Sequence, residues 1–273
     1  MNAEAELPPA IDEGVADVDP RARRLWFVVG SVVAVVMLAF GVTSAIGLVA
    51  REERTVTHEF DPRDLAVVEV TSNNGDVRVI GDSDTVVRVV IRISEGLGGI
   101  DEVARAEGER LVLSSTCPEF WSTFCEARYE VHVPPTLTVV ARSENGDAVV
   151  SGVDAGSTIE SSNGAVTGER LGGQVRMTTE NGDALATAFE GDVLAVDSRN
   201  GDVEVDVVRP PNAVTARSDN GDVVVRIPRG DELYAVSATT DNGEATTPVR
   251  TDPGAERRII AESDNGDVTV RYR

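Results

Sequence analysis

An Asn-Gly pair recurs eight times along the chain, and its near-fixed spacing is the strongest constraint on the fold. The pairs begin at Asn74, Asn145, Asn163, Asn181, Asn200, Asn220, Asn242 and Asn265. From Asn145 onward, the steps between them are 18, 18, 19, 20, 22 and 23 residues. A repeat of about 20 residues is typical of a protein built from stacked structural units.

The residues around each Asn-Gly pair repeat as well. Two positions before the asparagine there is always Ser or Thr, and Asp follows the glycine in six of the eight pairs. Between the pairs, apolar and polar residues alternate with the period of a β-strand, as at Val203, Val205 and Val207. By this alternation the asparagine shares a strand face with the hydroxyl residue, and we expect that face to lie in the interior.

Two folds compete for this pattern. An Asn-Gly pair between alternating runs is a strong hairpin signal, which fits an antiparallel meander or a sandwich. A meander, however, does not require the same hydroxyl and asparagine at every turn. In a solenoid, equivalent residues of successive coils stack about 4.8 Å apart and form ladders. The sequence therefore favours an all-β β-solenoid of about eight coils, with an Asn-Gly corner in each.

Residues 25–50 contain no charged side chain. A helix of this length spans about 39 Å, enough to cross a hydrocarbon core of about 30 Å. We therefore predict one transmembrane α-helix at 25–50, which anchors the solenoid in a membrane. The apolar region of a signal peptide is shorter, at about 7–15 residues, and cleavage after Ala45 or Ala50 stays an alternative.

Arginines flank this apolar segment unequally. Arg21, Arg23 and Arg24 precede it, whereas Arg51 and Arg54 follow it. The positive-inside rule then places the N-terminus in the cytoplasm and the C-terminal domain outside the cell membrane. We accordingly divide the chain into the following parts: a disordered cytoplasmic tail at 1–24, the helix at 25–50, a polar linker at 51–64 and the solenoid domain at 65–273.

The segment 82–135 departs from the period and contains both cysteines, Cys117 and Cys125. In an oxidising exterior, two cysteines this close predict a structural disulfide, with two free thiols as the alternative. Because the end of a solenoid exposes unpaired strand edges, we interpret 82–135 as an irregular cap. A ligand-binding loop is the alternative for the aromatic residues between the cysteines, which are Phe120, Trp121 and Phe124.

Three stretches carry a resemblance to a known family: VHVPPTLTVVARSENGDAVVSGV at 131–153, SSNGAVTG at 161–168 and TTENGDALA at 178–186. They resemble the bacterial "putative adhesin" domain family of unknown function, whose members share a repeated NGD-V cadence on a β-helical domain. The resemblance covers roughly Val67 to Arg273. It implies a β-helical fold and a membrane-anchored context, and it supplies no catalytic residues.

Composition and motifs limit the kinds of ligand and reaction that this chain can be expected to have. The formal charge of −22 argues against binding to nucleic acid, which depends on clustered positive charge. His58 and His132 are isolated, so no Ser-His-Asp arrangement is recognisable, and no cofactor or metal motif appears. The aspartates after the glycines fit turn chemistry. A carboxylate column of a polysaccharide-active enzyme and a weak calcium site are alternatives for Asp147, Asp183, Asp202, Asp222 and Asp267.

The sequence thus predicts a single-pass, non-catalytic β-solenoid for envelope interaction, adhesion or scaffolding, with an envelope protein or a glycan as its partner. An accessory or sensor in an envelope-stress regulatory system is one alternative. A β-helical enzyme that acts on polysaccharide is the other.

Overall fold

The computed structural model describes residues 20–49, 52–82, 85–96, 99–117 and 125–273, and it describes the side chains of its helix at residues 24 and 26–41. The chain divides into two compact units, Met1–Val49 and Ala50–Arg273. Most of the predicted disordered tail, residues 1–19, lies outside the described residues.

In its described part, residues 20–49, the first unit is one α-helix, α1, at Pro20–Val49. It begins five residues before the predicted helix, and proline suits a first helical position because its missing N–H has no partner there anyway. Large apolar side chains from Trp26 to Phe40 are exposed, with exposed fractions from 44% at Val29 to 74% at Phe40. Where the side chains are described, no helix combines the length and the hydropathy of a membrane span.

Where it is described, the second unit is built from strands, with one short 3-10 helix at Pro62–Asp64. The strands are β1 Glu52–Phe60, β2 Val67–Asn74, β3 Val77–Gly81, β4 Val87–Glu95, β5 Asp101–Glu107, β6 Arg110–Thr116, β7 Cys125–Val133, β8 Thr138–Asn145, β9 Ala148–Ser151, β10 Ser157–Asn163, β11 Val166–Glu169, β12 Gln174–Asn181, β13 Ala184–Phe189, β14 Val193–Asn200, β15 Val203–Val207, β16 Ala213–Asn220, β17 Val223–Ile227, β18 Tyr234–Asn242, β19 Ala245–Thr246, β20 Arg257–Asn265 and β21 Val268–Tyr272.

Most strands belong to coils, each of which adds one strand to each of two sheets. Sheet A has the strand order β1-β4-β7-β3-β9-β11-β13-β15-β17-β21-β19, and sheet B has the order β18-β20-β16-β14-β12-β10-β8-β2-β6-β5. Neighbouring coils pair in parallel with equivalent residues aligned, so that Asn163 lies opposite Asn145 on one side and Asn181 on the other. This register confirms the solenoid and rules out the antiparallel meander.

The core lies between the two sheets, because every second side chain of a strand points there. In β15, Val203, Val205 and Val207 are buried, whereas Glu204 and Asp206 between them are partly exposed. The same alternation in each coil stacks the buried side chains into continuous apolar columns. The hydrophobic effect on these columns holds the two sheets together.

The order of the coils in space differs from their order in the chain at both ends. The β6/β7 coil lies outside the β2/β3 coil, although it follows that coil in sequence. At the other end, the β20/β21 coil lies between the β16/β17 and β18/β19 coils. The outermost coil at each end is therefore the second from the corresponding end of the repeat series.

The predicted linker at 51–64 is wrong over most of its length. Residues 52–60 form β1, which pairs antiparallel with β4 from Glu52 opposite Glu95 to Phe60 opposite Val87. Val56 and Phe60 pack against the core from this strand. The strand is polar elsewhere because it lies at the edge of sheet A, where one side of it stays in water.

The segment 82–135 contains four strands in its described residues, 82, 85–96, 99–117 and 125–135. Two of them, β6 and β7, form the outermost coil at this end of the solenoid. The other two extend the sheets beyond this coil, because β5 pairs antiparallel with β6 and β4 pairs antiparallel with β7. Regular antiparallel strands, rather than irregular loops, thus cover the edges of the last coil.

Candidate functional site

Each coil passes from sheet B to sheet A at its Asn-Gly pair, and the hydroxyl residue before the pair is the buried part of this corner. Ser198 is 5% exposed and donates its hydroxyl to the carbonyl of Gly182 in the neighbouring coil, at 2.9 Å. Buried polar groups need such partners, which explains why only Ser or Thr occurs here. The same donor position is filled by Ser72, Ser143, Ser161, Thr179, Ser218, Thr240 and Ser263.

The asparagines form a hydrogen-bonded ladder along the corner. Asn200 donates its side-chain amide to the side-chain oxygen of Asn181 at 3.1 Å and to the carbonyl of Glu180 at 3.1 Å. It accepts in turn from Asn220 at 3.0 Å. Every predicted corner asparagine takes part, which joins Asn74, Asn145, Asn163, Asn181, Asn200, Asn220, Asn265 and Asn242 in this spatial order.

The ladder is real, but the prediction that it lies in the interior is wrong. In β14 the strict alternation ends at Ser198, and the two residues after it, Arg199 and Asn200, are both exposed. The chain has begun to turn at this point, so the two-residue period no longer decides which side chain faces the core. The asparagine ladder therefore runs along the solvent side of the corner.

The aspartates after the glycines form a second ladder that sequence reasoning missed. The Asp202 carboxylate accepts the backbone N–H of Asp222 in the next coil, with 2.8 Å between nitrogen and oxygen. Asp183, Asp222 and Asp267 do the same for their neighbours. Each carboxylate thus satisfies a backbone donor at an exposed turn. This engagement favours the structural interpretation of the aspartate column over a catalytic one.

In the β6/β7 coil, which is outermost at the N-terminal end, a cysteine stands at the position that asparagine has in the other corners. β2 and β6 align Ser72 with Ser115, so Cys117 stands where Asn74 stands one coil further in. The Asn74 amide nitrogen lies 3.3 Å from the Cys117 sulfur, which accepts this last bond of the ladder. The Cys117–Cys125 disulfide is present, with 5.9 Å between the Cα atoms. The predicted disulfide is confirmed, and the alternative of two free thiols is wrong.

The spacing of Ser115 and Cys117 repeats the Ser-x-Asn spacing of the other corners, and this signal was available in the sequence. The aromatic residues of the cysteine loop lie outside the described residues, so the ligand-binding alternative for Phe120, Trp121 and Phe124 stays a prediction.

The outer face of sheet B carries an alternating row of charges near the corner. Arg142 in β8 contacts Glu69 in β2 and Glu160 in β10, each with 2.6 Å between nitrogen and oxygen. Arg110 in β6 contacts the second oxygen of Glu69 at 2.6 Å. An open groove beside this row is lined by hydroxyl side chains, among them Thr71, Ser114, Thr116, Ser162 and Thr178. Such a surface offers donors and acceptors to a polar ligand.

His58 joins the two sheets at the N-terminal end of the solenoid. Its Nε2 lies 3.2 Å from a carboxylate oxygen of Glu102, so β1 of sheet A contacts β5 of sheet B. Arg54 reinforces the contact, at 3.4 Å from the other Glu102 oxygen and 3.0 Å from Glu95. These contacts hold the edge strands of the two sheets together.

His132 also contacts carboxylates. Its Nδ1 lies 2.9 Å from an Asp82 oxygen, and its Nε2 lies 3.4 Å from Glu130. The pKa of Glu130 is lowered, first by the hydrogen bond with His132 and then by Arg92. Both histidines that were isolated in sequence therefore contact carboxylates on the surface of the solenoid.

Tyr129 is a polar side chain inside the outermost coil. It is 2% exposed, and within the described residues its hydroxyl makes no hydrogen bond of good geometry, although the hydroxyl of Ser115 lies near it. Burial raises the pKa of Tyr129 to about 12; the Ser115 hydroxyl lowers it and the Glu102 carboxylate raises it further. The neutral phenol is thus strongly favoured.

No group of three or more His, Cys, Asp or Glu side chains that could hold a metal ion occurs in the part of the chain that the structure describes. The corner aspartates follow one another along the stack instead of converging on one point.

Comparison with known proteins gives a family and a set of similar folds. The sequence profile of the family described as Toastrack DUF4097 matches residues 130–271, slightly more than half of the chain. No curated protein sequence matches the chain.

Several solved structures are similar at low sequence identity. A putative adhesin from Bacteroides fragilis is 14% identical, with a TM-score of 0.45 over 81% of this chain and 97% of that chain. A putative lipid binding protein from Parabacteroides distasonis is 13% identical, with a TM-score of 0.39 over the same shares. A putative adhesin from Parabacteroides merdae is 12% identical, with a TM-score of 0.32 over 81% and 96%.

The parallel coils, the corner ladders and the match over residues 130–271 agree with one another, and the chain belongs to the Toastrack DUF4097 family, whose function is unknown.

Proposed function

We propose that this protein is a single-pass membrane protein that displays a rigid, non-catalytic β-solenoid on the outer side of the membrane, where it binds a component of the cell envelope. The exposure of the apolar side chains of α1 is the observation that carries this proposal. Eleven large apolar side chains between Trp26 and Phe40 are exposed, and a contiguous apolar surface of this kind marks a site of contact with a membrane or a protein.

The sequence supports the membrane over a protein partner. Residues 25–50 lack charge on every side of the helix, and a helix that is apolar all round belongs in an apolar medium. Arginines precede this segment at 21, 23 and 24, which favours a cytoplasmic N-terminus. The Cys117–Cys125 disulfide fits an oxidising compartment for the solenoid.

The surface of the solenoid supports binding over catalysis. Its corner aspartates are engaged with backbone donors of neighbouring coils, and its two histidines contact carboxylates. The hydroxyl-lined groove beside Arg142 and Glu160 offers hydrogen bonds to a glycan or to a polar protein surface. We therefore propose an envelope glycan or an envelope protein as the partner.

Membrane fractionation with a matched pair of variants tests the anchor. Replacing both Val32 and Val36 with Arg places two charges in the middle of the apolar segment, where each costs roughly 2.5–3.5 kcal/mol on insertion scales. This variant should lose its membrane association, whereas the matched Val32→Leu, Val36→Leu variant should stay with the membrane after alkaline extraction.

Protease treatment of intact cells tests the orientation. The wild-type solenoid, followed through a C-terminal tag, should be removed while an anchored stub remains. A full-length protein found only in the cytosolic fraction would exclude the proposal. A pull-down from native envelopes, with and without substitution of Arg142 by Ala in the groove, would then identify the partner.

A further inference from the structure

One Asn-Gly corner lies at the very end of the stack. The β18/β19 coil, with Asn242 and Gly243 at its corner, is the last coil, because β18 ends sheet B and β19 ends sheet A. On its inner side this corner is held like the others. The Asn242 side-chain amide donates to Asn265 at 3.0 Å, and the Thr240 hydroxyl donates to the Gly266 carbonyl at 2.8 Å. Within the described residues, the corner is thus attached from one side alone.

The backbone N–H of the glycine is the group that this end position leaves free. In every other corner, the glycine N–H donates to the carbonyl of the asparagine in the next coil toward β18, at 2.9–3.2 Å. Gly221 donates to Asn265 in this way, at 3.0 Å. Gly243 has no coil beyond it, and within residues 125–273, all of which the structure describes, its N–H has no hydrogen-bond partner.

Exposure distinguishes the same pair. Gly243 is exposed, whereas the glycine of each other Asn-Gly pair is partly or fully buried. The side-chain oxygen of Asn242 accepts no hydrogen bond from the described residues, although the same oxygen in every other corner accepts from the next asparagine. Water therefore reaches both residues of this pair.

We propose that Asn242 is a site of spontaneous deamidation and that the ladder protects the asparagines of the other corners. The backbone nitrogen of Gly243 loses its proton to water and attacks Cγ of Asn242. A C–N bond forms, the bond from Cγ to Nδ2 breaks, and the departing nitrogen takes a proton from water and leaves as ammonia. The cyclic succinimide that remains is then opened by a water molecule to aspartate or to isoaspartate.

The inner corners contain the same two residues but present two obstacles to this reaction. Glycine favours the attack because it has no side chain to obstruct the approach of its nitrogen. The nitrogen of Gly221, however, donates to the Asn265 carbonyl, and the Asn220 side chain is fixed by hydrogen bonds to both neighbouring coils. Both must open before the reacting atoms can meet, and terminal segments open locally at a much lower free energy than central ones.

The product loosens the coil that carries it. Either acid lacks the amide that donates to Asn265 and to the Asp264 carbonyl. Its new carboxylate stands next to Asp241 and close to Glu244 in a chain that already carries a net charge of −22. Isoaspartate also adds a carbon atom to the backbone, which disturbs the register of β18 with β20. The attachment of the last coil therefore weakens with the age of the molecule.

Peptide mapping of the full chain in detergent micelles tests the assignment. Trypsin, which cleaves after arginine, releases Asn242 in the peptide 230–250, Asn220 in 218–226 and Asn265 in 259–271, and each of these peptides contains one asparagine. At mildly alkaline pH, conversion should be at least about tenfold faster at Asn242 than at the other two, since the terminal coil opens more readily. Incubation in heavy-oxygen water labels the acids that form before digestion.

The denatured chain provides the control. In guanidinium chloride the ladder is absent, so the three asparagines should convert at similar rates. A preference for Asn242 that persists in the denatured chain would assign it to the local sequence and overturn the proposal. Equal rates in the folded chain, or an Asn242 that stays intact while the denatured chain converts, would overturn it as well.

A matched pair of variants at Thr240 tests whether the attachment of the coil sets the rate. Thr240→Ala removes the hydroxyl that donates to the Gly266 carbonyl. Deamidation of Asn242 should then accelerate about fivefold, the effect of one lost hydrogen bond on an opening equilibrium. Thr240→Ser keeps the donor and should react at the wild-type rate, with Asn220 unaffected in both variants. Equal rates of Asn242 conversion in the two variants would contradict the proposal.

Discussion

The side-chain amide of Asn74 donates to the sulfur of Cys117, and this single contact joins the asparagine ladder to the disulfide. The ladder donates in one direction, from each asparagine to the next one toward the N-terminal end. Its last donor needs an acceptor in the outermost coil. The Cys117 sulfur supplies it, so the disulfide both closes a loop and terminates a row of hydrogen bonds.

Removal of the disulfide should therefore have two separable effects. Replacing both cysteines with Ala loses the closed loop, worth roughly 2–3 kcal/mol in the chain-entropy model, and the acceptor for Asn74. Replacing Cys117 with Asn and Cys125 with Ala loses the loop but restores an amide acceptor. Urea unfolding should show this second variant to be more stable than the first by about 1 kcal/mol. Equal stabilities would mean that the sulfur contact contributes nothing.

The two corner ladders should respond differently to exchange of Asn and Asp. Asn200→Asp removes the donor to Asn181 and Glu180 and sets a carboxylate against an amide oxygen, so we expect a loss of about 1–2 kcal/mol. Asp202→Asn keeps an oxygen that accepts from Asp222 and removes one charge from the column, so its effect should be near zero or slightly stabilising. Thermal melts of the two variants provide the measurement. Small and equal shifts would contradict the ladder.

Gly201 should tolerate no side chain, because the neighbouring coil leaves no room. A Cβ there would lie 2.2 Å from the carbonyl oxygen of Gly182, and its φ is +157°. Gly201→Ala should therefore cost about 2–4 kcal/mol, from overpacking and backbone strain together.

Gly108 provides the matched control. Its φ is also positive, at +60°, but a Cβ added there would meet nothing within 4 Å. Gly108→Ala should cost only about 1 kcal/mol, since left-handed backbone alone is penalised by that amount. Chemical denaturation of both variants separates the cost of overpacking from the cost of backbone strain. Equal losses of unfolding free energy in the two variants would refute the close approach of the coils.

Tyr129 should make stability fall at high pH. Its folded-state pKa is raised to about 12 by burial, above the usual value near 10. The stabilisation is therefore complete below pH 10 and is lost as pH rises from 10 to 12, by roughly 2–3 kcal/mol. Tyr129→Phe should flatten this part of the curve of unfolding free energy against pH, and an unchanged slope would exclude Tyr129 as its cause.

The sequence predicted the repeating part of the fold well. Equivalent residues at a near-fixed period can stack only if the coils are parallel, so Ser198 and Asn200 were sufficient to indicate the corner and its ladder. The depth of the asparagines was mispredicted because strand alternation was extended through a turn. A residue's burial follows from alternation only while the backbone stays extended, which in β14 ends at Ser198.

The order of the coils at the two ends of the solenoid could not be predicted from the repeat pattern. The corner at Asn242 fits equally well beside Asn220 or Asn265, because all three carry the same pairing groups. Local pattern therefore does not determine which coil is outermost. The disulfide was found from spacing, but the place of Cys117 in the ladder was missed. The Ser115-x-Cys117 spacing repeats that of the other corners, yet the pattern was searched only for asparagine, and a sulfur can accept the same hydrogen bond.

Because β20 lies between β16 and β18, the β20/β21 coil completes the stack although it is translated after both of its neighbours. The coils from β8 to β17 each emerge from the ribosome beside one that is already made, so they can be added to a growing template one at a time. β18 and β19 emerge before the strands that hold them. The addition of β18 to β21 is therefore a concerted step, and a nascent chain that stalls before Arg257 would leave β16 as an open edge.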